Sequence, residues 1–153
     1  MKNLTRIAVL TSLTAVATMV VNIPLPHVKG YINVGDGVIL FTGLLLGPAA
    51  GAVAGGAGSV LADLILGYPH WAAWTLVIKG LEGLLAGLLA ERAPLAVTVG
   101  AGTMAAGYFI AGTIMYGSIG PALAQLPFDL TQGAVGGLAA LALLKVLKNY
   151  LQR

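Results

Sequence analysis

The sequence predicts an all-α integral membrane protein, a compact bundle of six transmembrane helices forming one domain over residues 1–153, with both termini cytoplasmic. Three observations predict it. Hydrophobic residues make up 58% of the chain and charged residues only 8%, with a mean hydropathy of +0.94, more apolar surface than a soluble core of this size can enclose. Glycine and proline breaks divide that apolar sequence into six runs. The cations are one-sided: Lys2, Arg6, Arg92, Lys145, Lys148 and Arg153 fall on the N-terminal side of an up-and-down bundle, and the opposite loops carry only Lys29. The positive-inside rule then places both ends in the cytoplasm. It also accounts for the net charge of +3 without nucleic acid, so the partner implied is the lipid bilayer. The chain has no cysteine, which excludes disulfides and thiolate metal sites.

The first apolar run covers residues 7–21 behind a short basic lead, and Pro24 and Pro26 stop it. A cleaved signal peptide ending near Ala15-Val-Ala17 is the alternative for this stretch, but the apolar run continues past it. A polar loop over 23–35 carries His27, Lys29, Tyr31 and Asn33. Asp36 opens a second helix to about Leu46, short for a span of ~20 residues. Gly47-Pro48 breaks it, and a third helix runs over 49–66. Its stretch Gly51-Ala-Val-Ala-Gly-Gly-Ala-Gly58 lacks the Lys-Ser/Thr ending of a phosphate loop and reads as close helix packing. An aromatic turn over 67–72 leads to a fourth helix ending near Ala90, and Glu91-Arg92-Ala-Pro94 is a charged turn. The fifth helix covers 95–116. A longer loop over 117–127, broken at Gly120-Pro121, precedes a sixth helix over 128–150.

The stretch from Gly67 to Glu82 organises the chain. Lys79 and Glu82 lie two to three turns into the fourth helix, and a charge at such depth costs at least ~2.5 kcal/mol on insertion scales. Three residues apart, they share one helix face, with Thr75 a turn above. Such a pair either faces a site or neutralises itself and pins the helix. Around it, the non-cytoplasmic half collects the unusual residues: Asn33, Asp36, Asp63, His70, Trp71, Trp74, Tyr108, Tyr116, Asp129 and Gln132. That asymmetry predicts a pocket open to the outside, roofed by the loops at 23–35, 67–72 and 117–127, with the polar groups and aromatic walls that suit a small heterocycle. Each residue has a plainer reading. Tyr68, Trp71, Trp74 and Tyr116 fit an interface belt, and Asp36 and Asp129 fit helix-terminal capping. Two histidines, His27 and His70, give no metal-ligand pattern, and no metal or other cofactor is expected.

Three segments, Asn33-Val-Gly-Asp-Gly-Val-Ile-Leu-Phe-Thr-Gly-Leu-Leu-Leu-Gly-Pro48, Gly55–Asp63 and Trp74-Thr-Leu-Val-Ile-Lys-Gly-Leu-Glu-Gly83, resemble the substrate-binding S components of energy-coupling factor (ECF) vitamin transporters. The resemblance covers most of the chain. It implies a subunit of an ABC-type importer in the bacterial cytoplasmic membrane that binds a vitamin or precursor on the outer side, either pyridoxine- or hydroxymethylpyrimidine-like or riboflavin. It implies as partners a membrane coupling subunit and two ABC-type ATPases, and delivery by toppling in the bilayer. Carried onto this chain, the family's ligand-holding regions give Asn33, His70, Trp74, Lys79, Glu82, Tyr108, Asp129 and Gln132. Docking on the coupling subunit uses small residues four apart on the first helix, here Ala8-x-x-x-Ser12 and Thr11-x-x-x-Ala15 rather than the family's usual two alanines. Two other readings compete. A self-associating structural or regulatory membrane protein built on the glycine faces binds no small molecule. An intramembrane enzyme using Glu82 or Asp63 needs a nucleophile or metal partner, and no Ser-His or multi-His arrangement supplies one.

Overall fold

The computed structural model describes residues 2–25 and 30–152; Met1, the loop residues Pro26, His27, Val28 and Lys29, and Arg153 lie outside the described residues. Among the described residues the chain forms six α-helices: α1 (Lys2–Val20), α2 (Gly35–Leu46), α3 (Pro48–Leu66), α4 (Ala72–Leu88), α5 (Ala93–Tyr116) and α6 (Ile119–Leu151). Two two-residue strands, β1 (Ile23–Pro24) and β2 (Tyr31–Ile32), pair antiparallel within the first loop, and a 3₁₀ turn (Ala90–Arg92) joins α4 to α5. The segments containing α1, α3, α5 and α6 are long and apolar enough to cross a membrane, whereas α2 has 12 residues and α4 has 17. At 1.5 Å per residue α2 reaches only about 18 Å.

The distribution of side chains is inverted relative to a soluble domain. Val9, Leu13, Val16, Leu76, Val77, Leu130 and Leu138 point outward and are exposed, while Asp36, Asp63, Lys79, Glu82 and Asp129 are buried. Apolar side chains that face hydrocarbon cost nothing there, and polar groups must find partners inside the protein. The chain is an all-α membrane protein.

Helix α2 is short because it is enclosed. It packs against α1, α3, α4 and α6, and Gly35, Asp36, Gly37, Ile39, Leu40, Thr42 and Gly43 are all buried. Its last turn passes directly into α3 through Gly47, whose φ of 89° is a conformation that favours glycine, and Pro48 then starts α3 where its missing N–H is not needed.

Glycine sets how closely the helices approach. Helices α3 and α4 run antiparallel with Gly87 against Gly47 and Pro48, Gly83 against Gly51, and Gly55 against the backbone of Lys79. The same seam reaches α2, where a Cβ on Gly43 would lie 2.6 Å from the Gly83 carbonyl oxygen. Backbone-to-backbone contact of this kind substitutes dispersion for the hydrophobic effect, which is weak between helices already in lipid.

Helix α6 corrects the loop expected over 117–127. The helix begins at Ile119, capped by Ser118, whose Oγ accepts from the Gly120 N–H at 3.4 Å. Pro121 stands in the first turn, where backbone N–H groups have no helical partner anyway, and Pro127 is tolerated inside the helix although it removes one hydrogen bond. The third element of the expected roof is therefore helical, and it brings Gln125 onto the same face as Asp129 and Gln132, four and seven residues on.

The seam predicts opposite signs for one substitution. Gly83→Ala places a methyl group against the Gly51 backbone and is expected to lower the apparent melting temperature in detergent, an overpacking cost of about 1–3 kcal/mol. Gly102→Ala, exposed on α5 with open space at its Cβ, should leave stability unchanged or raise it by up to ~1 kcal/mol through helix propensity.

Candidate functional site

One half of the bundle holds a cavity lined almost entirely by side chains that hydrocarbon would not tolerate. Its walls come from α1 (Thr18), the first loop (Gly30, Tyr31, Asn33), α3 (Ser59, Asp63), the start of α4 (Trp71, Thr75, Lys79), α5 (Tyr108) and the first half of α6 (Gln125, Asp129, Gln132). Its free space, open mouth included, is about 430 Å³.

The deepest feature is an ion cluster. The Lys79 ammonium donates to Asp36 Oδ1 and, at 3.0 Å, to Glu82 Oε2, and all three side chains are buried. Lys79 and Glu82 meet because they stand three apart on α4. Asp36 meets them because α2 runs parallel to α4 along the glycine seam. Gly136 on α6 leaves the space for it, since a Cβ there would come within 2.6 Å of Asp36 Cβ. The other Asp36 oxygen accepts from Gln132 Nε2 at 3.1 Å, while Gln132 Oε1 accepts from the Asn33 backbone N–H at 2.8 Å. Asn33 Oδ1 in turn accepts from Gly35 N–H at 2.8 Å. A continuous chain of polar contacts thus runs from Glu82 in α4 through α2 and α6 to the first loop.

Nearer the mouth, Tyr31 donates its hydroxyl to Asp63 Oδ1 at 2.6 Å. Burial, together with the Asp63 carboxylate beside it, holds the Tyr31 phenol above its ordinary pKa, so it remains the donor. The Thr75 and Tyr108 hydroxyls lie 3.1 Å apart, and Lys79 Nζ sits 5.7 Å from the centre of the Tyr108 ring. Trp71 stands edge-on to Tyr108 and Tyr116 at 5.6 and 6.2 Å, and Tyr68 tilts against Tyr31 at 4.9 Å. Gln125 Nε2 donates to both Asp129 oxygens at 3.4 and 3.2 Å. Four buried atoms on the cavity wall make no hydrogen bond within the described protein: Thr18 Oγ1, Ser59 Oγ, Asp63 Oδ2 and Gln125 Oε1. A buried polar atom left unpaired costs ~1–3 kcal/mol, so this wall is shaped to meet polar groups from outside the chain.

Of the eight residues expected to hold a ligand, Asn33, Lys79, Tyr108, Asp129 and Gln132 line the cavity. Three do not. Glu82 lies behind Lys79, one turn deeper, and acts on the cavity only by fixing that ammonium. Trp74 is turned away from the Trp71–Thr75–Lys79 stripe and packs on a cluster of Trp71, Ile78, Met104 and Ala111. His70 is exposed in the turn before α4, its ring near Tyr68 and Trp71. The capping reading of two aspartates also yields. Asp36 uses both oxygens on Lys79 and Gln132, and Asp129 lies inside α6 because that helix starts at Ile119, nine residues before the start expected at 128. The plain self-neutralising pair of Lys79 and Glu82 becomes a three-residue cluster. Thr18, Gly30, Tyr31, Ser59, Asp63, Trp71, Thr75 and Gln125 are the lining residues missing from the expected set. The spacing 125, 129, 132 was the available signal for Gln125, hidden by reading two prolines as a loop.

On α1 the two candidate docking pairs separate. Ala8 and Ser12 are exposed, whereas Thr11 is half-buried and Ala15 buried, with α1 packed on α3 where a Cβ on Gly58 would meet the Thr11 carbonyl at 2.7 Å. Thr11 and Ala15 thus lie on the side of α1 that packs within the bundle.

Removing the cation at the cluster should cost more than removing either anion. Lys79→Met leaves Asp36 and Glu82 buried side by side, and a loss of about 3–5 kcal/mol is expected in denaturant unfolding of the detergent-purified protein. Glu82→Gln keeps the Lys79–Asp36 pair, and a loss less than half as large is expected. Equal losses would count against the three-residue cluster.

Comparison with known proteins agrees with this architecture. The profile of the family described as "ECF-type riboflavin transporter, S component" matches residues 1–149. The chain is 35% identical over 153 residues to the thiamine precursor transporter HmpT of Lactococcus lactis subsp. cremoris, an alignment covering 99% of this chain and 89% of that protein. It is also 42% identical over 127 residues to an uncharacterized protein of Pyrococcus woesei, covering 79% of this chain and 84% of the other. With a near-complete profile match laid over an apolar six-helix bundle that encloses a polar cavity, the chain belongs to the ECF-type transporter S-component family.

Proposed function

We propose that this protein is the substrate-capturing subunit of an ECF-type importer, binding a vitamin or vitamin precursor in the cavity beneath the first loop. Membership of the family makes it a transport subunit rather than an enzyme, with ATP hydrolysis left to partner subunits. The observation that carries the reading is the confinement of the polar cavity to one half of a bundle whose remaining interior is mostly glycine, alanine and larger apolar side chains. A binding pocket closed toward one side and open toward the other suits capture on one face of the membrane and release on the other.

In this reading all six helices lie in the plasma membrane, both termini are cytoplasmic, and the cavity opens outward, as the one-sided cations favour. The enclosed α2 needs no span of its own, because its neighbours shield it from lipid. The candidate ligands are pyridoxine- or hydroxymethylpyrimidine-like molecules or riboflavin, as the family resemblance implies. Delivery proceeds by toppling of the whole subunit with a coupling subunit and two ABC-type ATPases, which dock on the exposed Ala8–Ser12 face of α1. The outward apolar surface on every long helix favours such rigid-body movement, since reorientation exchanges lipid for lipid.

The test is calorimetric titration of the detergent-purified protein with riboflavin, pyridoxine, hydroxymethylpyrimidine and thiamine. Submicromolar binding of one of them without turnover is expected, and silence from a well-folded sample would favour the self-associating alternative. Ser12→Leu should reduce uptake by the complete importer at least ~10-fold, a loss of about 1.4 kcal/mol in docking, with calorimetric binding by the isolated subunit unchanged. Equal loss of binding and uptake would assign Ser12 to internal packing.

A further inference from the structure

Of the five acidic residues of the chain, Asp63 and Asp129 line the cavity, while Asp36 and Glu82 lie behind it as the partners of Lys79. Among the described residues the one cation in the cavity wall is Lys79, and it is already committed to Asp36 and Glu82. Asp63 and Asp129, which line the cavity, are met by neutral groups only: the Tyr31 hydroxyl with the Thr75 hydroxyl close by for Asp63, and the Gln125 amide for Asp129. A carboxylate accepts and never donates when ionised, so Gln125 must turn its Nε2 toward Asp129, and its Oε1 is left as a second unpartnered acceptor beside Asp63 Oδ2. Both residues are buried, Asp63 at 2% and Gln125 at 6% exposure. The unpartnered wall is thus rich in acceptors and holds two carboxyl groups with no cation of their own.

From this inventory we infer that the ligand is a donor-rich or cationic nitrogen heterocycle carrying an exocyclic amino group, read by Asp63 and Gln125. The inference rests on the capture reading and names its substrate class. An amino group donates two hydrogens, one for each unpartnered acceptor, and the neighbouring ring nitrogen, once protonated, strengthens the match to a carboxylate. A flavin presents the opposite pattern on its dione ring, with two carbonyl acceptors flanking one N–H. Carboxylated or phosphorylated ligands bring further negative charge against Asp63 and Asp129. Both classes are disfavoured. The Trp71 and Tyr108 rings supply the apolar surface for the flat faces of such a heterocycle. Asp63 is the specificity-determining residue, because Tyr31 fixes one of its oxygens and the other has no hydrogen bond at the cavity wall.

The experiment compares two nearly isosteric probes on the full chain in detergent. One is hydroxymethylpyrimidine with its amino group, the other the same ring with oxo in place of amino, and riboflavin is the third titrant. A preference of about 100-fold for the amino compound over the oxo compound is expected, since a site that pairs with an N–H group rejects the analogue lacking it. Asp63→Asn, which can still accept from Tyr31 but now offers an N–H to the cavity, should collapse or reverse that preference, with folding checked by thermal melting. Equal affinity of the wild-type protein for amino and oxo probes overturns the inference, whatever the variant does. So does tight riboflavin binding without binding of the amino compound, and in that case capture itself still stands. Failure of a folded sample to bind all three would remove the capture reading and this inference with it.

Discussion

A lysine ammonium buried in a membrane bundle is the constraint on which the rest of the structure depends. Lys79 is buried at the cavity wall, and the hydrocarbon around the bundle offers it nothing, so its charge is met by carboxylates inside the protein. Glu82 meets it from the same helix, which local geometry alone allows. Asp36 meets it from another helix, and that contact ties the enclosed α2 to α4. Because Asp36 also accepts from Gln132, and Gln132 accepts from the loop at Asn33, one buried charge fixes the relative positions of α2, α4, α6 and the first loop. Those are the elements that form the cavity.

The glycine seam is what makes this cluster affordable in space. Carboxylate and ammonium groups on different helices meet only if the backbones come close, and Gly51, Gly55, Gly83 and Gly136 remove the side chains that would hold them apart. Packing and electrostatics here are one design, since the small residues bring α2, α3, α4 and α6 together and the charges select the register at which they stop. The result is a bundle with one mostly apolar half, bounded by the cluster, and one polar half whose remaining hydrogen-bond capacity faces a cavity.

Much of this was legible in the residues. The depth of Lys79 and Glu82, the one-sidedness of the polar residues and the placement of Asn33, Tyr108, Asp129 and Gln132 at one cavity follow from helical periodicity and the alternation of spans. Other parts were not. Two prolines within eleven residues read as a loop at 117–127, yet Pro121 occupies a first turn and Pro127 is accommodated by the surrounding bundle, so α6 extends and carries Gln125 to the site. Asp36 at a helix start resembles a cap, and only its distant partner shows otherwise. Trp74 and Trp71 are indistinguishable by composition. The rotation of α4 about its axis decides that Trp71 lines the cavity and Trp74 packs behind it.

By itself the sequence determined that this chain is a helical membrane protein, because hydropathy and break residues are properties of single segments and need no neighbour. It also determined that Lys79 and Glu82 are adjacent, since three residues on one helix fix their separation. The tertiary structure alone decided which carboxylate completes the cluster, which face of α1 stays exposed, and which acceptors remain open toward a ligand. Those depend on how helices far apart in the chain rotate and dock, and the glycines that govern their approach specify closeness without naming the partner.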